Sequence, residues 1–151
     1  MKVYIDTSAL NKIFDDQLQP RIYLEASSML IIFMLIDSEA IEFFSSDILL
    51  FENNCNPYEE RRAFVDLCIQ KAKYIQSIHE GLLSRAQEIE KEQIKGLDAL
   101  HLACAEEIKV DYFLTCDDKI LKKYKGSIKL INPVDFVINI LKKEATNDSQ
   151  D

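Results

Sequence analysis

At 151 residues, with 48% hydrophobic and 29% charged side chains, the chain suits one compact domain with a sizeable core. Three glycines and three prolines are too few for an all-β fold built on many tight turns, and nothing here is fibrous or disordered throughout. The formal net charge of −8 weighs against a phosphate-bearing partner, but unevenly: residues 1–70 carry 12 acids and 5 bases, residues 109–143 only 4 acids and 8 bases.

KVYID (2–6) reads as a first strand, rich in β-formers and ending in Asp6. Pro20 suits the first turn of a helix over RIYLEASSMLIIFMLIDS. IEFFSS (41–46) is a second strand. Asp47 is expected to cap a short helix DILLFENN, and Asn56 to cap PYEERRAFVDLCIQKA. KYIQSI (73–78) is weakly strand-like. EGLLSRAQEIEKEQI (80–94) places Leu82, Leu83, Ala86 and Ile89 along one helix side. LDALHLACAEEI (97–108) is apolar on most sides, as a buried helix is. YFLTC (112–116) is an apolar strand, DKILKKY a short helix and IKLIN (128–132) the last strand. Pro133 opens a final helix, VDFVINILKK, and EATNDSQD (144–151) reads as a disordered polar tail after a single domain over 1–143.

Strands separated by helices imply parallel pairing. The expected fold is α/β, a three-layer α/β/α sandwich around a mostly parallel sheet. The longest apolar run, MLIIFMLI, has eight residues, against about 20 for a membrane span. With no secretory leader pattern, a cytoplasmic protein without a membrane partner is expected. Cysteines 55, 68, 104 and 116 form no CxxC pair, and His79 and His101 fit no zinc spacing; reduced, mostly buried thiols are expected.

In such sheets ligands gather at the carboxyl ends of strands. Asp6 ends the first strand and Asp117 follows YFLTC; the two strands are expected side by side near the middle of the sheet. Asp98 begins a buried helix after Gly96, and Glu52 lies in the helix after the second strand. Each acid alone has a bland account, as a cap, a dipole partner or a solvated face, and Asp118 could cap DKILKKY as well as Asp117. Together they form a candidate acidic cleft. Close carboxylates repel unless a cation intervenes, and oxygen donors without His or Cys suit Mg²⁺ or Mn²⁺.

YIDTSAL, then FEN, then LDALHLACA, then FLTCDDKIL, in this order over residues 2–136, resembles the PIN domain. Members of that family are α/β/α metal-dependent nucleases, mostly ribonucleases, and many small prokaryotic ones are VapC-type toxins inhibited by an antitoxin. The resemblance implies catalytic acids at Asp6, Glu52, Asp98 and Asp117, with Asp6, Asp98 and Asp117 holding Mg²⁺ or Mn²⁺. It implies support from the Thr115 hydroxyl, in the T-x-D pattern, and from Ser8 in the polar turn. Cys116 departs from the family's usual basic or small residue between the Thr and the Asp. An RNA substrate, a cognate antitoxin and a homodimer are implied partners.

Lys119, Lys122, Lys123 and Lys125 follow Asp117 closely and could reach a phosphate backbone, as could Arg61 and Arg62; Tyr58 and Tyr124 could stack on bases. A solvated face is the alternative for these cations and the core for Tyr124. His101, one turn from Asp98, could tune the site or be a buried structural histidine. Two other readings differ in kind. A haloacid-dehalogenase-like hydrolase would need a second acid where Ser8 stands, and a non-cleaving PIN-like module would bind RNA or protein without cutting it.

Overall fold

The computed structural model describes residues 1–150. Five strands, β1 (Lys2–Ile5), β2 (Glu42–Ser46), β3 (Tyr74–Gln76), β4 (Tyr112–Leu114) and β5 (Lys129–Ile131), form one sheet in the order β3-β2-β1-β4-β5. Every pairing is parallel. The expected neighbours meet: Ile5 of β1 lies opposite Leu114 of β4. Chain order runs one way from β1 through β2 to β3 and the other way from β4 to β5. The gap between β1 and β4 is therefore a topological switch point, where α/β sheets open a crevice outside their carboxyl ends.

Among the described residues eight helices surround the sheet: α1 (Thr7–Leu10), α2 (Pro20–Asp37), α3 (Asp47–Asn54), α4 (Glu59–Ile69), α5 (Glu80–Glu90), α6 (Gly96–Ile108), α7 (Asp118–Lys123) and α8 (Pro133–Gln150). Strand alternation divides the core in two. Tyr4, Phe44 and Phe113 face α5 and α6, packing with Leu82, Ile89 and Leu102. Val3, Ile5, Phe43 and Leu114 face the other way, against Leu10, Met29 and Ile32, Val65 and Phe136. Both faces of the sheet are covered, as a parallel sheet requires.

Several expected details shift. The cap of α3 is Ser46, not Asp47: Ser46 is extended and its Oγ accepts from Leu49 N (3.2 Å), which leaves Asp47 in the first turn facing the helix dipole. Asn56 makes a local turn instead of a cap, its Oδ1 accepting from Tyr58 N (2.9 Å), so α4 starts later. α1 and the single 3₁₀ turn Lys12–Phe14 carry no periodic signal at three or four residues. α8 continues through 144–150, most of the stretch expected to be a tail, because extending a formed helix costs far less than starting one. Residue 151 lies outside the described residues.

Cys104 is buried, Cys68 and Cys116 are half-buried and Cys55 is exposed. Among the described residues no helix is long and apolar enough to cross a membrane.

Candidate functional site

The carboxyl end of β1 turns at once into α1, and Asp6 makes that turn. Its backbone is extended, and its Oδ1 accepts from Ala9 N (3.0 Å) and from Ser8 Oγ (2.7 Å). Only 3% of Asp6 is exposed. Burial pushes its carboxyl up, and the hydrogen bonds from Ser8, Thr115 and Ala9 pull it back only in part. A capping role alone would be served as well by a solvent-facing serine; a buried carboxylate at a switch point calls for more.

Ser8 ties the two central strands together. Its Oγ accepts from Cys116 N (3.1 Å) and lies 3.4 Å from the Thr115 hydroxyl. Thr115 is fully buried, and its Oγ1 accepts from Asp117 N (3.0 Å). Asp117 then caps α7 through Lys119 N (2.9 Å). The two adjacent acids meet different surroundings. Asp118 is turned outward into a bidentate pair with Arg21 of α2 (2.6 and 2.7 Å), while Asp117 lines a cavity of about 300 Å³ with Asp98.

Asp98 sits in the first turn of α6. Its carboxyl is pushed up to about 6, first by burial, then by the negative charge of Asp6, with smaller contributions from Glu52 and Asp117 and an opposing one from His101. Acids from four separate elements therefore lie within electrostatic reach of one another. Glu52, on α3, accepts from the Thr7 hydroxyl and from His101 Nε2 (3.2 Å). Burial works to raise Glu52, but the hydrogen bonds from His101 and Thr7 outweigh it and hold the carboxyl below its ordinary value.

The donor set suits a hard divalent cation in charge and chemistry: all four groups are carboxylates, and the repulsion that raises Asp98 is what a cation would relieve. Among the described residues, no three His, Cys, Asp or Glu side chains stand close enough together as placed to hold an ion.

The bases divide. Lys119 and Lys123 line the cavity beside Asp98 and Asp117, joined by Lys95 and Gln93. Lys122 is exposed on α7 and is not part of that wall. Lys125 extends beyond α7, with its backbone N–H on Glu92 (3.2 Å). Arg61 is engaged elsewhere, 3.7 Å from Asp15 and packed over the rings of Tyr58 and Phe14, while Arg62 donates to the Asn56 carbonyl. Tyr124 is turned inward, its hydroxyl donating to Glu106 (2.9 Å).

Sequence reasoning placed Thr7 only in the polar turn after Asp6, and it passed over Lys95 and the full partnership of His101. Lys95 precedes a helix with no motif around it. His101 shares a face of α6 with Asp98, three residues apart, and that spacing was the one available signal.

A comparison with curated proteins finds no match. Among solved structures, a chain of VapBC2 from Rickettsia felis, bound to a DNA fragment from their promoter, is similar at 14% identity and a TM-score of 0.58, covering 87% of this chain and 98% of that one. FitAcB from Neisseria gonorrhoeae is similar at 15% identity and a TM-score of 0.53, covering 87% of this chain and 97% of that one. FitAB bound to an IR36 DNA fragment matches at 14% identity and 0.53, covering 87% and 95%. At these identities the likeness concerns the fold. The PIN domain family profile matches residues 3–126, and the chain belongs to the PIN domain family.

Proposed function

We propose that the chain is an endoribonuclease that hydrolyses RNA phosphodiester bonds with Mg²⁺ or Mn²⁺, and that it is the toxin of a type II toxin–antitoxin pair. The observation that carries this reading is the electrostatic coupling of Asp98 to Asp6, Glu52 and Asp117 beside the switch point between β1 and β4. Family membership supports nuclease chemistry, and the VapBC and FitAB neighbours support an antitoxin partner.

Asp6, Asp98 and Asp117 would hold the cation, their carboxylates drawing closer together than they stand here. When bound, it supplies neutralisation of the carboxylates and Lewis acidity toward a scissile phosphate. The protein's own groups do the rest. Ser8 and Thr115 fix Asp6 and the backbone of Asp117 by hydrogen bonds. Glu52, held ionised, presents an acceptor oxygen that would orient the attacking water in line with phosphorus; as the new P–O bond forms the P–O3′ bond breaks, the water gives up a proton to solvent and the leaving 3′ oxygen takes one from solvent. Lys119 and Lys123, with Lys95 beside them, face the same cavity and supply positive charge to the RNA backbone.

The exposed apolar side chains of α2, Tyr23, Leu24, Leu30, Ile31 and Met34, support association with an antitoxin or a second copy.

The test uses structured and single-stranded RNA with Mn²⁺, Mg²⁺ or EDTA. Cleavage should require the metal, and Asp6→Asn or Asp98→Asn should lower kcat/KM by about 100-fold or more. Cleavage in EDTA, or cleavage untouched by both substitutions, overturns the mechanism. Metal binding without cleavage of any RNA favours a non-cleaving RNA- or protein-binding module.

A further inference from the structure

Glu52 is held by a chain of side chains that runs back into the core. His101 is 1% exposed, yet both ring nitrogens are engaged: Nε2 lies 3.2 Å from Glu52 Oε1 and Nδ1 lies 2.6 Å from the Tyr4 hydroxyl. The Tyr4 hydroxyl lies 2.6 Å from Ser46 Oγ, which accepts from Leu49 N at 3.2 Å. Tyr4 is itself fully buried, its ring stacked on Phe113 at 5.2 Å between centroids.

With the His101 ring neutral, one assignment of protons satisfies every member. An ionised Glu52 only accepts, so Nε2 donates to it. In a neutral imidazole Nδ1 is then an acceptor, and the Tyr4 hydroxyl donates to it. Ser46 in turn donates to Tyr4, while its lone pair takes the Leu49 N–H. Thr7 donates to the same oxygen, Glu52 Oε1. Both of that oxygen's protein donors are therefore mounted on helices, one on α1 and one on α6, while the Glu52 side chain remains 25% exposed. A buried histidine in any role needs partners for both nitrogens; what marks His101 out is that one of those partners is Glu52 at the edge of the cleft.

We propose that His101 is a positioning residue for the reaction: Tyr4 and Ser46 lock its ring so that Nε2–H holds Glu52 in one orientation toward the cleft. This rests on the nuclease reading for its catalytic consequence, and on the hydrogen-bond chain alone for its structure.

Two measurements on the full chain separate those parts. Long-range ¹H–¹⁵N spectra of ¹⁵N-histidine-labelled protein at pH 8 should show His101 protonated at Nε2 and unprotonated at Nδ1. In Tyr4→Phe, which keeps the ring stack, the Nδ1 resonance should move as its donor is lost. A proton on Nδ1, or an Nδ1 signal unmoved by Tyr4→Phe, overturns the chain. For cleavage, Tyr4→Phe and His101→Gln should lower kcat by about 10- to 100-fold with KM within about twofold. Adding Tyr4→Phe to Glu52→Gln should cost little more, because the chain acts through Glu52. Full multiplication of the two losses, or a change in KM alone, overturns the positioning role. Should the wild type cleave no RNA, the nuclease reading falls, while the spectra still decide whether the chain exists.

Discussion

Asp98 shows how a charge can oppose folding and serve the site together. Its carboxyl is held at about 6 against an ordinary value near 3.8, mainly by burial and by Asp6. Between those two pH values the folded state keeps the proton more tightly than the unfolded chain. Stability from this group is therefore present below pH 4 and lost as pH rises through about 6. Asp98→Asn removes the cost of the buried negative charge. In EDTA at pH 8 the variant should be more stable than the wild type by about 1–2 kcal/mol, after allowance for screening of a partly exposed group. At pH 4 the difference should vanish. Thermal unfolding at the two pH values checks this, and a less stable variant at pH 8 would mean that the repulsion is not there. The same substitution should remove cleavage, so stability and activity move in opposite directions. Asp118, next to Asp117 in the chain, carries no such tension: Arg21 hydrogen-bonds it and lowers its carboxyl. The T-x-D spacing favours Asp117 locally, but the partner that turns Asp118 outward is an arginine 97 positions away, which no local pattern reveals.

Among the elements, legibility follows length and period. The strand β1 and the helix α6 announce themselves by apolar runs, and the acids at their ends follow from the rule that parallel sheets open at their carboxyl edge. An edge carrying Asp6 and Asp117, with Asp98 facing it, could thus be expected from the sequence. What stayed hidden depends on contacts far apart in the chain. Ser46 outcompetes Asp47 as the cap of α3 while also lying 2.6 Å from the Tyr4 hydroxyl. α1 is a single turn held by Asp6, too short for any periodicity. The end of α6 gives a further prediction. Lys109 closes it in the left-handed region, at φ 61° and ψ 50°, and its side chain is exposed. A side chain pays a steric cost there that glycine avoids, although glycine also gains freedom in the unfolded chain. Lys109→Gly should raise stability by about 0.5–1 kcal/mol, read as a Tm about 1–4 °C higher. A lower Tm would show that the lysine makes a compensating interaction.

For the whole molecule, the sheet is the one structure that both cores share. Tyr4 packs toward α5 and α6, while Val3 and Ile5, its neighbours on β1, pack toward α2 and α8. Neither face can lose its helices without exposing strands that the other face needs. The candidate site is built the same way: Asp98 and His101 come from one layer, while Asp6 and Thr7 join β1 to α1 on the other. Unfolding should accordingly be a single transition. Leu102→Ala removes a fully buried side chain from the first core and Leu10→Ala one from the second. Each should cost about 2–5 kcal/mol, set by how far the surroundings collapse into the cavity. Each should also lower the same calorimetric midpoint, with the calorimetric enthalpy matching the van't Hoff value. If Leu102→Ala instead splits the endotherm, leaving the α2 and α8 side folded at its original temperature, the layers are separable. The acids would then depend on docking between two units, and cleavage should fail at the lower midpoint, before the second core melts. With one cooperative sheet, activity and structure are lost together at one temperature in both variants.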